Sequence, residues 1–221
     1  QGDLTSIIGK ARTPHVSPDQ AKELSLQIQW LLDKNFITRS ESPVASPVHL
    51  VRKKSAQGEW NQWRMIADFR ALNSATQADA GSLPRLDTII DRLSGQDWYS
   101  SLDCSAWYQQ TPIRDQDRWK TAFHDQFGNL YHFNCLSFGL VNAGAQAGRS
   151  LAITLQDIDN ASAYADDCIA HTEGDKERHL QVLRNIFQRF RRDKLYINPQ
   201  KSVFLTKEFS FFGFKFNAEG R

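Results

Sequence analysis

The sequence is poor in the features that staple or anchor a protein. Only three of its 221 residues are cysteine: Cys104, Cys135 and Cys168. They are odd in number, irregularly spaced and without a Cys-x-x-Cys pair, so neither a disulfide framework nor a zinc site is expected. Long apolar runs are missing too. None approaches the roughly 20 residues that cross a bilayer, and the first residues show no charged-then-apolar leader, so no membrane partner is expected. No repeat, low-complexity tract or Gly/Ser linker divides the chain into modules. Charge excess is small: 27 Lys and Arg against 25 Asp and Glu leave +2, which by itself announces no polyanion partner. An intracellular, reducing setting is the natural default.

What is present is a globular composition, 40% hydrophobic, sufficient for one large domain or two joined subdomains. Basic residues gather at Arg52, Lys53, Lys54, Arg64 and Arg70, and again at Arg184, Arg189, Arg191, Arg192 and Lys194. Such clusters can be phosphate-contacting faces or ordinary solvated surfaces.

The pattern is mixed α/β. Ser17-Pro-Asp-Gln20 is a capping box with proline at the first helical position, followed by Leu24, Ile28, Leu31 and Leu32 on one face. His49 to Val51 and Trp63 to Ile66 read as a basic hairpin around the polar loop Ser55 to Glu59. A break over 78–84 precedes a helix from Leu86 to Leu93 and a strand from Trp98 to Leu102. Thr121 to Phe123 and Tyr131 to Phe133 flank a turn at Gly128-Asn129. A helix is expected over Val141 to Leu155, although Gly144 and Gly148 each lower its propensity by roughly 1 kcal/mol. Ser162 to His171 reads as a hairpin with acids near its tip. Leu180, Leu183, Ile186, Phe187 and Phe190 mark another helix, and Val203 to Leu205 and Phe211 to Phe214 close the chain as strands.

Tyr164-Ala-Asp-Asp167 sets two carboxylates side by side between arms that can be buried. Adjacent carboxylates out of water repel, so one must take a proton or a cation must neutralise them. Asp103 follows the strand that ends at Leu102, and a shared sheet would bring it beside the pair. Three hard oxygen donors suit Mg²⁺ or Mn²⁺, and such sites run two-metal phosphoryl or nucleotidyl transfer. Taken alone, Asp166-Asp167 reads first as a surface turn, since Asp is common at turns, and only the surrounding sequence changes that weighting.

A longer series of motifs resembles the reverse transcriptases of retroviruses and long-terminal-repeat retrotransposons, particularly the Ty3/gypsy-like group. In family order stand Ser46-Pro-Val-His-Leu-Val-Arg-Lys-Lys54, Trp63-Arg-Met-Ile-Ala-Asp-Phe-Arg-Ala-Leu-Asn73 and Leu83-Pro-Arg-Leu-Asp87. Ser101-Leu-Asp-Cys-Ser-Ala-Trp-Tyr-Gln-Gln110, Lys120-Thr-Ala-Phe123 and Phe138-Gly-Leu-Val-Asn-Ala143 follow. Tyr164-Ala-Asp-Asp167, Asn198-Pro-Gln-Lys201 and Phe211-Phe-Gly213 complete the series.

The resemblance implies an α+β right-hand polymerase fold, fingers and palm, with an antiparallel palm sheet packed on helices. Fingers would span 1–80 and 111–147, and palm 81–110 and 148–221, with no thumb. It implies that Asp103, Asp166 and Asp167 hold two Mg²⁺ ions, with Mn²⁺ as a substitute and the Cys104 carbonyl as a further contact. Lys53 and Arg64 would hold the dNTP triphosphate, a point charge and a planar fork on phosphate oxygens. Tyr108 would lie under the sugar and disfavour a 2′-hydroxyl. Phe138 and Gly139 would line the nucleotide and template, Lys201 would protonate the departing pyrophosphate, and Phe211, Phe212 and Gly213 would grip the primer. Asn-Pro is also a simple turn, and Phe-Phe-Gly a simple strand end. Tyr164 is expected to be a packing residue.

Partners would be an RNA or DNA template–primer, dNTPs and the thumb, connection and ribonuclease H regions of a longer polyprotein. The chain starts at Gln1 and stops soon after the grip motif, as a processed segment would, and short products are expected from it. The implied location is the cytoplasm, virus-like particles included. Three positions depart from the family. Asn142-Ala-Gly-Ala-Gln-Ala-Gly148 lacks a proline and an aromatic, Ala165 is smaller than usual, and Trp107 replaces a small residue. A catalytically silent nucleic-acid-binding or scaffold protein is therefore the alternative. A metal-dependent nuclease is a third reading, in which His171 is the nearest His or Glu to Asp166 that could activate water.

Overall fold

The computed structural model describes residues 4–53, 62–79, 81 and 85–220, with Lys53 and Gln62 described by backbone alone. The expected loop from Ser55 to Glu59, Lys54, and Leu83-Pro84 of the expected break lie outside the described residues. In chain order come α1 (Leu4–Ile8), α2 (Pro18–Asp33), β1 (Ile37–Arg39), β2 (Val48–Lys53), β3 (Gln62–Ala67), α3 (Arg70–Ser74), α4 (Leu86–Leu93) and β4 (Trp98–Asp103). Then follow α5 (Asp115–Arg118), β5 (Phe123–His124), β6 (Leu130–Phe133), α6 (Ala143–Thr154), β7 (Ala161–Tyr164), β8 (Asp167–Thr172) and α7 (Lys176–Asp193). The last elements are β9 (Val203–Thr206), β10 (Phe209–Phe211) and β11 (Phe214–Phe216). Among the described residues no helix is long and apolar enough to cross a membrane, and all three cysteines are free and buried.

The chain divides into two compact units, Gln1–Asp79 with Thr111–Ala143, and Ala80–Gln110 with Gly144–Arg221. In the first, α2 starts as its capping box dictates: the Ser17 hydroxyl accepts from the Gln20 N–H at 3.4 Å, and the Gln20 side chain accepts from the Ser17 N–H at 3.0 Å. Its stripe of Leu24, Ile28 and Leu31 is buried against Ile37, Phe123, Tyr131 and Phe133 from the antiparallel sheet β1-β6-β5. Val48 and Ala67 of the β2–β3 hairpin join that core, as do Phe69 and Leu72 around α3. Gln27 ties α2 to β3, donating to the Trp63 carbonyl and accepting from the Met65 N–H, both at 2.9 Å. The expected turn at Gly128 is braced by Asp125, whose carboxylate accepts from the N–H groups of Phe127 and Asn129. Thr121 belongs to a 3₁₀ turn over Trp119–Thr121 and not to a strand. Three-residue β1 is too short for an alternating pattern to announce it.

The second unit is built on the antiparallel sheet β7-β8-β4-β9. Side chains alternate between faces along β4 and β8. Leu102, Cys168 and Ala170 pack on Leu151 and Leu155 at the end of α6 and on Val182, Leu183, Ile186 and Phe190 of α7. Tyr99 and Ile169 point the other way, onto Ile89, Ile90 and Leu93 of α4 with Phe211 and Phe216. Helix α7 starts where the Asp175 side chain accepts from the Arg178 N–H at 2.9 Å, and it ends where Lys194 turns left-handed at φ 57°. Two glycines do not prevent α6, because Ala147 and Leu151 bury its face completely. The stretch from Phe211 to Phe214, expected as one strand, is a hairpin: Phe211 pairs with Phe214 across Phe212-Gly213, both at positive φ as a type I′ turn requires. Glycine there signals the turn, and the flanking phenylalanines hide it.

Candidate active site

Strands β7 and β8 are joined by two residues, Ala165 and Asp166, between the paired Tyr164 and Asp167. Ala165 takes φ 53°, a left-handed conformation that costs a side-chain-bearing residue roughly 1–2 kcal/mol. The ladders on either side hold it there. Strand β8 lies beside β4 in a register that sets Asp167 directly opposite Asp103. Residues so paired have β-carbons about 4.5–5.5 Å apart. Carboxylates far apart in sequence thus become cross-strand neighbours, with Asp166 on the adjoining turn.

Their electrostatics are unresolved by the protein itself. Burial pushes the Asp167 carboxyl above its usual value, and the charges of Asp166 and Asp103 push it further. Among the described residues no Lys, Arg or His forms an ion pair with any of the three. Among the described residues no group of three His, Cys, Asp or Glu side chains is placed closely enough to hold a metal ion as it stands. Neighbouring oxygen donors without a basic counter-ion fit a hard divalent cation. The backbone offers one more donor. Around the bridge of Cys104 with Ile197, the Asp103 carbonyl accepts from the Asn198 N–H at 2.8 Å and the Ser105 N–H donates to the Tyr196 carbonyl at 3.0 Å. The Cys104 carbonyl accepts no hydrogen bond from the described residues. Burial, then the three carboxylates, pushes the Cys104 thiol up to about 12, so it is protonated near neutral pH.

Two residues that sequence reasoning did not single out, Asn198 and Ser202, fix the backbone of Asp103. The Ser202 hydroxyl accepts from the Asp103 N–H at 3.1 Å and donates to the Asn198 carbonyl at 2.8 Å. That carbonyl also accepts from the Lys201 N–H at 3.2 Å, so exposed Lys201 sits in a turn bonded directly to Asp103. Asn198 belonged to a recognisable motif, but nothing in its spacing says that its N–H binds Asp103. Tyr108 lies in a 3₁₀ turn, Trp107–Gln110, that Gln110 ties down by donating to the carbonyls of Ser105 and Tyr196 and accepting from the Tyr196 N–H at 2.7 Å. A β-carbon on Gly144 would lie 4.0 Å from the Tyr108 hydroxyl, making these two residues neighbours. Bulky Trp107, the third of the departures, packs on the helix-side core.

Of the expected grip residues, Phe211 is buried in the core beside α4, whereas Phe212 is 59% exposed. The Tyr164 ring packs edge-on against both, with centroids 5.7 and 5.1 Å away, as a packing residue would. His171 is buried, bonds to the Ser162 hydroxyl at 3.1 Å and is held neutral, burial pushing it down to about 4. A buried, weakly basic imidazole is a poor water activator, so the nuclease reading loses its base.

In the first unit, Lys53 ends β2 as described by its backbone, and Arg64 of β3 lies over the Phe138 ring at 5.5 Å. Phe138 is 49% exposed, and Gly139 follows it at φ 90°. Of the outlying basic residues, Arg70 pairs with Asp68 at 2.6 Å and Arg192 with Asp193 at 2.6 Å.

An α+β chain with an antiparallel carboxylate-bearing sheet in one unit and a basic, aromatic-lined hairpin in the other has the architecture of a nucleotide polymerase. Residues 51–216 match the family described as reverse transcriptase (RNA-dependent DNA polymerase), and the chain belongs to that family. It is 33% identical over 213 residues to a retrovirus-related Pol polyprotein from transposon 412 of Drosophila melanogaster, covering 95% of this chain and 17% of that protein. With an enzymatic polyprotein of Soybean chlorotic mottle virus it is 30% identical, covering 95% and 30%. A solved foamy viral protease-reverse transcriptase in complex with double-stranded DNA superposes with a TM-score of 0.82 at 25% identity, over 95% of this chain and 36% of that one. A foamy viral protease-reverse transcriptase in complex with an RNA/DNA hybrid also gives 0.82, at 25% identity over 95% of this chain and 27% of that one. The chain thus spans a third or less of the curated relatives' length.

Proposed function

We propose that this chain carries out template-directed DNA synthesis, in which a primer 3′-hydroxyl attacks the α-phosphate of a dNTP. The new oxygen–phosphorus bond forms as the bond to pyrophosphate breaks. The observation that carries this reading is the pairing of Asp103 with Asp167 beside Asp166, with no basic side chain to neutralise them among the described residues. Mg²⁺ or Mn²⁺ bound there would activate the hydroxyl and neutralise the developing charge. The chain's own residues do the rest. Asp103, Asp166 and Asp167 supply hard oxygen donors, and the Cys104 carbonyl another. Lys53 and Arg64 hold the triphosphate, the guanidinium plane of Arg64 being steadied by its contact with Phe138.

Tyr108 lies under the sugar and excludes a 2′-hydroxyl, Lys201 gives a proton from Nζ to the leaving pyrophosphate, and Phe138 with Gly139 lines the nucleotide and template. Exposed Phe212, with Gly213, holds the primer end, and Phe211 supports it from the core. RNA and DNA template–primers are the nucleic acids of this reading, supported by the foamy viral complexes with double-stranded DNA and an RNA/DNA hybrid. Relatives several times longer support a chain that works beside further regions of a polyprotein. The test is extension of a DNA primer on RNA and DNA templates with Mg²⁺. Extension is expected with dNTPs, and Asp103→Asn should abolish it. Unchanged extension by Asp103→Asn would refute the site, and salt-dependent binding without incorporation would favour the silent-scaffold alternative.

A further inference from the structure

We propose that Asn73 is a positioning residue for the incoming nucleotide, acting through the loop that carries Phe138 and Gly139. The proposal rests on the reading of Phe138 as part of the nucleotide site. Between Leu136 and Asn142 the backbone is in no ladder or helix, so nothing in the secondary structure sets where Phe138 stands. Side chains set it instead. The Asn73 amide nitrogen donates to the Gly139 carbonyl at 2.7 Å, and its amide oxygen accepts from the Val141 N–H at 2.9 Å. One planar amide therefore reads an acceptor and a donor two residues apart, as a neighbouring strand would.

Alternatives cannot do this. Aspartate has no donor for the Gly139 carbonyl, a single hydroxyl cannot span both groups, and alanine offers neither. Asn142 closes the same loop from its far end, donating to the Gln77 carbonyl at 2.9 Å and accepting from the Asp79 N–H at 2.8 Å. At the middle, Gly139 holds φ 90°, and a β-carbon there would meet the Ala67 carbonyl at 3.6 Å and the Phe69 ring at 3.7 Å.

Asn73 is itself well anchored. It lies on α3, whose Leu72 is buried, and the preceding Phe69 is 2% exposed in the same core. The Asp68 carboxylate accepts from the Arg70 N–H at 3.1 Å, a local bond at the first residue of the helix. Position is thus passed from core to α3, from Asn73 to the loop, and from the loop to Phe138 under the Arg64 guanidinium. In the sequence Asn73 closes the motif that begins at Trp63, and nothing in its spacing there signals a task. Here the task is to hold Phe138 and Arg64 as one preformed surface, so that the nucleotide need not order the loop when it binds.

The experiment is steady-state primer extension by Asn73→Ala, the isosteric Asn73→Asp, Phe138→Ala and the double variant Asn73→Ala/Phe138→Ala, with amide hydrogen exchange read at Val141. Loss of two neutral hydrogen bonds should raise the dNTP KM about tenfold, with kcat changed by less than about threefold. Exchange at the Val141 amide should quicken, and the double variant should bind dNTP no worse than Phe138→Ala, since both changes undo the same contact. Asn73→Asp keeps the shape and the acceptor, so it carries the test if Asn73→Ala does not fold. A wild-type KM in both Asn73 variants beside a raised KM in Phe138→Ala overturns the proposal. So does a fall in kcat alone that tracks lost folded protein. A wild-type KM in Phe138→Ala instead removes the nucleotide reading of the loop, and the proposal with it, whatever the Asn73 variants do.

Discussion

Replacing Asp167 by asparagine should stabilise the metal-free protein while destroying its activity. The side chain keeps its size and loses its charge, and the charge is held in an unfavourable place: half-buried, opposite Asp103 and next to Asp166. Two carboxylates about 5 Å apart repel by about 1–3 kcal/mol between the dielectric of water and that of a protein surface. Salt and side-chain freedom reduce this to a net gain of about 1 kcal/mol, or about 2–4 °C in Tm for a chain of this size.

The assay is thermal unfolding in EDTA and then in millimolar Mg²⁺. In EDTA Asp167→Asn should melt higher than the parent. With Mg²⁺ at ten times its Kd the parent should gain about 1.4 kcal/mol and the variant much less, so the order narrows or reverses. The pH response carries the same sign. Because the Asp167 carboxyl is held above its usual 3.8, its contribution is best when it is protonated and is lost as pH rises from 3.8 through the raised value. Asp167→Asn should remove that slope in EDTA. A variant that melts lower than the parent in EDTA, or an equal Mg²⁺ shift in both, refutes the idea that these carboxylates are destabilising without a cation.

Other consequences follow from the same geometry. Ser202→Ala leaves the Asp103 N–H without its acceptor and should cost about 1 kcal/mol and several-fold in kcat, read by urea midpoint and primer extension. Wild-type rates in that variant would mean that Ser202 does not position Asp103. Trp107→Gly should destabilise by about 2–3 kcal/mol, because the ring packs on the helix-side core. A changed dNTP KM with unchanged melting would instead assign Trp107 to the pocket. In acid, Asp68 and Asp193, each held down at about 2 by its neighbouring arginine, contribute stability above pH 3.8 that is lost as pH falls through about 2. Both pairs lie at the surface, so Asp193→Asn should flatten the acid limb of the stability curve only slightly.

Much of the fold could be read locally, because its signals are local. The Ser17 capping box, the apolar stripe of α7 and the bounds of α4 each depend on residues within a few positions of one another. The β7–β8 hairpin was legible for the same reason. Thr121 and the run from Phe211 to Phe214 misled, since aromatic and β-branched residues favour strands wherever they stand and do not announce a turn.

For the site, the order of motifs was enough to nominate Asp103, Asp166 and Asp167, and the chemistry of carboxylates was enough to nominate a hard cation. The pairing itself was not in the chain's local pattern. Asp103 meets Asp167 only because β4 and β8 adopt one register, and a slip by one residue would turn every side chain to the other face. Asn198 with Ser202 at Asp103, and Asn73 on the loop of Phe138, are hydrogen bonds between distant segments. Such bonds leave no periodicity behind, since a polar residue that serves a remote backbone looks in sequence like one that faces water. Sequence alone therefore determined which groups could do chemistry here, and the tertiary structure decided which of them meet and what holds them still.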